Sequence, residues 1–361
     1  MIRCFQPRFG KKELSNLETC LNSGVLASGP FVEEFERRFT EISKKRYNVG
    51  FNSASSAALA IFAFLKEKYG ACDVYAPSLS FSSPIWAAVN SGHKIVFLDI
   101  SKETFSTSQE HVQVALERTK NKSGRKTVIF PVLYGGIPSI DLQHMDDAAI
   151  IVDSSHTVNP TMNCDFIFFS FHPVKPIAMG NGGIAATDDT EAAEFFRRFR
   201  NFGRVPLGIS YDVVQTGFNF YMNDLNAAIG LGQLEVYKEN MERRKVIAEI
   251  YNKTIDKEKY DIVRQVDSRG ESSYYLYTVV TKHSKDVAGL MSFLRGKGIE
   301  AIVHYPLVHK LSFFSTQMPL SNLKNSEQVE NRFINIPCHA AMKARETEFV
   351  AETLNEYADG V

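Results

Sequence analysis

At 361 residues the chain is longer than a single hydrophobic core usually grows, so two domains are expected. Hydrophobic residues make up 44% and charged residues 23%, and 41 Lys and Arg against 41 Asp and Glu leave a formal net charge of zero. That balance is ordinary for a globular protein and argues against nucleic acid or an anionic membrane as a partner.

No apolar run approaches the roughly 20 residues a membrane-spanning helix needs, and Met1-Ile2-Arg3-Cys4-Phe5 lacks the apolar core of a signal peptide. Five scattered cysteines (Cys4, Cys20, Cys72, Cys164 and Cys338) without CxxC spacing read as reduced thiols in a cytoplasm. They form neither a disulfide frame nor a zinc motif, and no metal is expected.

In chain order, short apolar strands are predicted at Tyr47–Phe51, 73–76, Lys94–Leu98, 127–132, 150–153, 165–169 and Gly183–Thr187. Most are continuous apolar runs, the pattern of strands covered on both faces. Helical patterns lie between several of them at 53–69, 83–90 and 110–119, and continue at Thr190–Phe199 and 223–255. This alternation predicts an α/β fold with a mostly parallel sheet and helices on both sides. Past about residue 256 the segments 274–280, 285–297, 301–305 and 345–357 suggest a smaller α+β unit. The expected division is 1–240 for the large domain and 241–361 for the small one.

The chemistry concentrates at strand ends. The strand at 165–169 delivers Ser170, His172 and Lys175 into one loop, with Gly180-Asn181-Gly182-Gly183 close behind. A lysine amine between hydrophobic walls can lose its proton and attack a carbonyl, although a lone lysine after a strand is more often a surface residue. Asp153 ends the strand at 150–153, 22 residues earlier, and both side chains can project from one sheet edge. By itself Asp153 reads as a turn or cap residue. As a pair, the two suit a cofactor with a ring nitrogen to keep protonated and a carbonyl to bind an amine, which describes pyridoxal phosphate.

Phe51-Asn52-Ser53-Ala54-Ser55-Ser56 leaves a strand and opens a helix, so its free N–H groups and the helix dipole suit a phosphate, and an ordinary N-cap equally. Ser170 can add a hydroxyl to the same phosphate. Phe81 follows a strand exit at the same edge, where a ring can stack on a flat heteroaromatic group, while core packing is the default for any of 27 phenylalanines. His156 is either a neighbour of the ring's phenolic oxygen or a polar loop residue.

Taken in order, the small-residue phosphate turn, Pro77-x-x-x-Phe81, Val152-Asp153-x-x-His156, Ser170-Phe171-His172-x-x-Lys175, Gly180-x-Gly182-Gly183 and Gly217-Phe218-Asn219-Phe220-Tyr221-Met222 resemble the DegT/StrS family of pyridoxal-phosphate sugar aminotransferases, of the aspartate-aminotransferase fold, type I. The likeness runs from Gly29-Pro30-Phe31-Val32-Glu33-Glu34-Phe35-Glu36 to Ile336-Pro337-Cys338-His339. The resemblance implies that Lys175 is the Schiff-base lysine and proton shuttle, that Asp153 pairs with the pyridinium nitrogen, and that Phe81 stacks on the ring. It places His156 near the phenolic oxygen and gives the phosphate to Ser170, Ala54 and Ser55. It implies that Asn219 reaches the partner subunit's cofactor phosphate in an obligate homodimer; bottom-up, Asn219 is a turn residue. His304, Tyr305 and His309 are candidates for the substrate surface, and packing residues otherwise. The chain departs from the family at Tyr221, where an arginine is frequent, at Asn181, where a glutamate is frequent, and at Asn52-Ser53-Ala54-Ser55, where many members show Ser-Gly-Thr.

The function this implies is transamination of a keto sugar, with nucleotide-linked keto-deoxy sugars as the expected substrates and glutamate as the expected donor, for surface polysaccharide or secondary-metabolite synthesis. Three rivals stand against it. A sugar dehydratase of the same family carries histidine where Lys175 stands. A sensor that binds the cofactor without turnover has no need of Lys175, Asp153 and Ser170 together. A nicotinamide enzyme needs a glycine-rich first turn, and 52–58 contains no glycine.

Overall fold

A computed structural model describes residues 1–119, 124–140, 142, 143, 145, 147–264, 270–283, 287–317 and 323–357. Seven strands, β1 (Tyr47–Phe51), β2 (Asp73–Pro77), β3 (Lys94–Leu98), β4 (Thr127–Ile129), β5 (Ala148–Asp153), β6 (Phe166–Ser170) and β7 (Gly183–Thr187), form the central sheet in the order β1-β7-β6-β5-β4-β2-β3. The run from β3 to β6 is parallel, and β7 is antiparallel to both β6 and β1. β1, β2, β4, β5 and β6 therefore all deliver their C-terminal ends to one edge.

Side-chain alternation explains why the strands read as unbroken apolar runs. Ile151, Phe166, Phe168 and Ala185 pack beneath α3 (Ala54–Tyr69), α4 (Ser82–Asn90) and α6 (Thr190–Phe199). Their sequence neighbours Ile150, Val152, Ile167, Phe169 and Ile184 pack on the other face against α2 (Pro30–Ser43) and α7 (Asp224–Thr254). The helix starts are built locally. Ser53 caps α3 by accepting from the Ser56 N–H, and Asn223 caps α7 by accepting from Asn226. Asp224 is fully buried because its carboxylate accepts from the N–H groups of Gly29 at 2.9 Å and Val32 at 3.0 Å, closing the first turn of α2 across nearly 200 residues of chain. α1 (Lys11–Ser23) packs along α7.

A second core lies under a three-stranded antiparallel sheet of Tyr260–Ile262, Tyr277–Thr281 and Phe333–Ile336. It joins the second half of α7, the helix Val287–Gly296 and the C-terminal helix Ala344–Glu356. The expected division at 240/241 falls inside α7, whose early residues Leu231 and Leu234 sit in the first core and whose later residues Ile247 and Tyr251 sit in the second. A two-stranded hairpin, Arg204–Leu207 with Ser210–Val213, stands off the surface. Among the described residues no helix is long and apolar enough to cross a membrane, and all five cysteines are buried free thiols.

Several boundaries differ from the sequence expectation. The strand expected over 127–132 stops at Ile129, because Pro131 has no N–H to continue the ladder, and its carbonyl instead accepts from the Asp153 N–H. The strand expected from 274 begins at Tyr277, since Tyr274 adopts a positive φ of 42°. Residues 301–305 form no strand, only an isolated bridge from Ile302 to Asn335. Positions 285 and 286 of the expected helix lie outside the described residues.

β7 approaches the turn before α3 so closely that a Cβ on Gly183 would sit 2.4 Å from the Ala54 nitrogen. Gly183→Ala must therefore push that turn outward. Overpacking of this kind costs about 1–3 kcal/mol, so the variant should show a lower denaturant midpoint and weaker retention of any anion held at the α3 N-terminus; an unchanged midpoint would contradict this close approach.

Candidate functional site

At the C-terminal edge of the sheet the strand ends surround a cavity of about 260 Å³. Its lining brings together Lys175, Asp153, His156, Ser170, Ala54, Ser55, Phe81, His304 and Tyr305, drawn from segments scattered over the whole chain. A larger groove of about 1580 Å³ runs past Lys102, Val263, Met291 and Arg332, and none of the candidate residues lines it.

Lys175 retains partial access to the cavity but is otherwise enclosed by protein. Burial disfavours its charged form and pulls its pKa from 10.5 down to about 7, against the attraction of Asp153. The amine lies 4.3 Å from the ring centroid of Tyr275. Asp153 is almost fully buried, and burial pushes its carboxyl pKa up while the Ser155 contacts and the Lys175 charge hold it down. One carboxylate oxygen accepts from the Ser155 N–H at 2.8 Å.

His156 is buried and neutral: desolvation, then the charge on Lys175, holds its pKa well below the usual imidazole range. Its Nδ1 accepts from the Gly135 N–H at 3.2 Å, so the ring proton sits on Nε2, 2.9 Å from the Tyr305 hydroxyl oxygen. Tyr305 thus accepts from His156 and keeps its own proton for another acceptor. His304 is likewise held neutral, its pKa lowered to about 4 by burial and Lys175, and the Tyr134 hydroxyl donates to its carbonyl at 2.6 Å.

At the first turn of α3 the N–H groups of Ala54 and Ser55 have no intrahelical acceptor. Ser170 reaches the same cavity, and the Ser55 hydroxyl pairs with that of Ser83. Phe81, 55% exposed, presents its ring at the rim, 5.6 Å from the Tyr305 ring.

Two expected residues stand apart. His309 lies outside the lining, with its Nδ1 2.6 Å from the Ser78 hydroxyl and its ring against Phe97. Asn219 is exposed beside the phosphate turn, on the segment whose Phe220 carbonyl accepts from the Asn52 N–H at 2.7 Å. Tyr275 was missed, since a tyrosine in Ser272-Ser273-Tyr274-Tyr275 carries no local signal that distinguishes it from packing. Asn181, noted only as a departure in the glycine-rich loop, also lines the cavity.

Residues 7–355 match the model of the DegT/DnrJ/EryC1/StrS aminotransferase family. The chain belongs to this family. The UDP-4-amino-4,6-dideoxy-N-acetyl-beta-L-altrosamine transaminase of Campylobacter jejuni is 26% identical over 98% of this chain and 96% of its own length. Among solved structures, the PseC aminotransferase of Helicobacter pylori, involved in pseudaminic acid biosynthesis, superposes with a TM-score of 0.87 at 24% identity over 97% of both chains. The putative sugar aminotransferase Spr1654 of Streptococcus pneumoniae in its PLP form gives the same TM-score at 23% identity, also over 97% of both chains. These likenesses establish the mixed α/β type I fold.

Family membership brings pyridoxal phosphate as the cofactor. The cavity fits it in three respects. Open N–H groups at the start of a 16-residue helix suit a phosphate, a buried carboxylate suits a ring nitrogen, and an amine of lowered pKa suits an aldehyde.

The lowered amine pKa has a stability consequence. Between pH 7 and the ordinary lysine value near 10.5 the unfolded chain holds a proton that folded Lys175 has released, so cofactor-free stability rises with pH across that window. Lys175→Met should therefore melt higher than the cofactor-free wild type at pH 7, with a gap that narrows toward about pH 10. A gap independent of pH would mean that the amine is not desolvated.

Proposed function

We propose that this aminotransferase moves an amino group from glutamate to the keto carbon of a nucleotide-linked keto-deoxy sugar, for surface polysaccharide or secondary-metabolite synthesis. The observation that carries the reading is the convergence of Lys175, Asp153 and the α3 N-terminus on one small cavity. The name of the Campylobacter jejuni relative supports the nucleotide-sugar class. We propose further that the protein acts in the cytoplasm as a homodimer with shared sites, and that 1–240 and 241–361 work as two lobes. The cavity lies between those lobes, with Tyr275, His304 and Tyr305 facing Lys175 and Asp153.

Pyridoxal phosphate, when bound, supplies a carbonyl that bonds amines and a ring that draws electrons from the carbon bearing the amine. The chain's own residues do the rest. Lys175, with a pKa of about 7, has a substantial neutral fraction at neutral pH, so its Nζ can bond a carbonyl carbon, and once released can take a proton from one carbon and return it to another. Asp153 would hold a positive charge on the cofactor's ring nitrogen. The Ala54 and Ser55 N–H groups with the Ser170 hydroxyl would seat the phosphate, and Phe81 would cover a ring face. His156 donates to the Tyr305 hydroxyl oxygen, which holds that side chain at the cavity wall.

The homodimer is supported by exposed apolar side chains on the hairpin. Leu207, Ile209, Tyr211 and Val213 are all more than half exposed, and Asn219 lies exposed on the segment that follows.

Purified protein should show the visible band of bound cofactor, and glutamate should shift it to shorter wavelength; a band unmoved by glutamate would rule out that donor. Lys175→Ala should abolish turnover, and retained turnover would sink the assignment. Asp153→Ala should cut kcat by at least about a hundredfold, since it removes the charge that holds the ring nitrogen protonated. Co-expressed Lys175→Ala and Asn219→Ala subunits should recover activity above either homodimer, because one of the two shared sites is then intact. No recovery from verified mixed dimers would place Asn219 outside the partner's site.

A further inference from the structure

We infer that the arginine-lined groove beside Tyr221 is a binding site for the diphosphate of the nucleotide-linked substrate. The inference rests on the substrate class proposed above. The groove, about 610 Å³, lies between α6, the start of the hairpin and the segments at Ser28 and Tyr221. No residue lines both it and the Lys175 cavity.

Four guanidinium groups line it, from Arg197, Arg198, Arg200 and Arg204. Two of these already have partners. Arg200 donates to Glu36 and to the Gly50 carbonyl at 2.6 Å, and Arg198 donates to Gln215 at 2.7 Å with Glu194 at 3.8 Å. Arg197 and Arg204 have no carboxylate partner among the described residues. Two uncompensated cations at one cavity stand out in a chain of zero net charge.

Arg204 is also held in place. Its guanidinium lies 4.5 Å from the Phe202 ring centroid and 4.2 Å from that of Tyr211. Its Nε is buried with no hydrogen-bond partner among the described residues. A guanidinium fixed between neighbours loses little rotamer freedom on binding, and its fork of donors matches phosphate oxygens. Carboxylates that would repel an anion are few here: Glu194 is the only one in the lining. The volume is in the range that holds a diphosphate and an adjoining ring, with Tyr221 as an aromatic wall.

The location suits a substrate that reaches a shared site. Tyr221 bridges to Phe51, two residues before Ser53 of the Lys175 cavity, and Asn219 is two residues before Tyr221. On the homodimer reading proposed above, in which Asn219 reaches the partner's cavity, the neighbouring groove would open toward the same cavity.

The test is calorimetric titration of the cofactor-loaded protein with UDP, with inorganic pyrophosphate, orthophosphate and uridine as competitors. Wild type should bind UDP, pyrophosphate should displace it, and orthophosphate and uridine should not. Arg197→Gln and Arg204→Ala should each weaken UDP binding about tenfold or more, the scale of one charge-assisted contact, and Arg204→Lys should recover part of the loss. UDP affinity within about twofold of wild type in both loss variants, or no UDP binding by wild type, overturns the inference. Arg197 is exposed, so Arg197→Gln carries the test if Arg204→Ala misfolds. Conversion of the wild-type cofactor band by glutamate, read on the same preparation, reports on the aminotransferase reading independently of UDP.

Discussion

The structure is organised around keeping an amine and a carboxylate at the edge of a buried sheet where neither is fully solvated. Moving either charge out of water costs several kcal/mol, and the two are not joined in a close ion pair that would offset it. Burial lowers the Lys175 pKa and raises that of Asp153, so each group is drawn toward its neutral form. A stable protein without a ligand to bind would replace both by apolar side chains. Asp153, at the end of an otherwise apolar strand, and Lys175, in the loop after β6, mark the place where stability is given up for reactivity.

The surroundings follow from that constraint. Because β1, β2, β4, β5 and β6 share one direction, the turn before α3, Phe81, Asp153 and Ser170 arrive at the same edge without any long loop. β7 runs the other way and brings the glycine-rich loop back over that edge, and Gly183 lacks a side chain where it meets the start of α3. On the opposite side Tyr275, His304 and Tyr305 close the cavity. The His156 tautomer, set by the Gly135 N–H, makes the Tyr305 hydroxyl the acceptor of their bond. Much of what makes the site chemically specific is therefore second-layer hydrogen bonding between segments about 150 residues apart.

This division explains what was readable from the residues. The central strands, their parallel order and the convergence of Asp153, Ser170 and Lys175 come from apolar runs and strand-end chemistry, which are local signals. The short strands Tyr260–Ile262 and Phe333–Ile336 gave no such signal, being three and four residues long and held by pairing with Tyr277–Thr281. Tyr275 was hidden for a similar reason: its importance lies in standing 4.3 Å from an amine 100 residues earlier in the chain. His309 shows the reverse error. A histidine near His304 and Tyr305 in sequence looks like part of their surface, yet the turn between them sends it to Ser78.

The same reasoning separates the two halves of the proposed reaction. Asp153 sits at a strand end and Lys175 in the short loop that follows β6, positions anchored by the sheet, so one motif order suffices to place them. Recognition of a large polar substrate draws on surfaces that the sheet does not dictate: the second lobe, the hairpin and the segment around Tyr221. Such surfaces are assembled from long-range contacts, as where Arg200 reaches Glu36 and Gly50 over about 150 residues. Tyrosine at position 221 leaves the charge of that groove to the arginines of α6 and the hairpin, which can be changed one at a time without disturbing the strand ends. On the proposed reading, contacts to the diphosphate can change without altering the amine chemistry, because the groove and the Lys175 cavity share no lining residue.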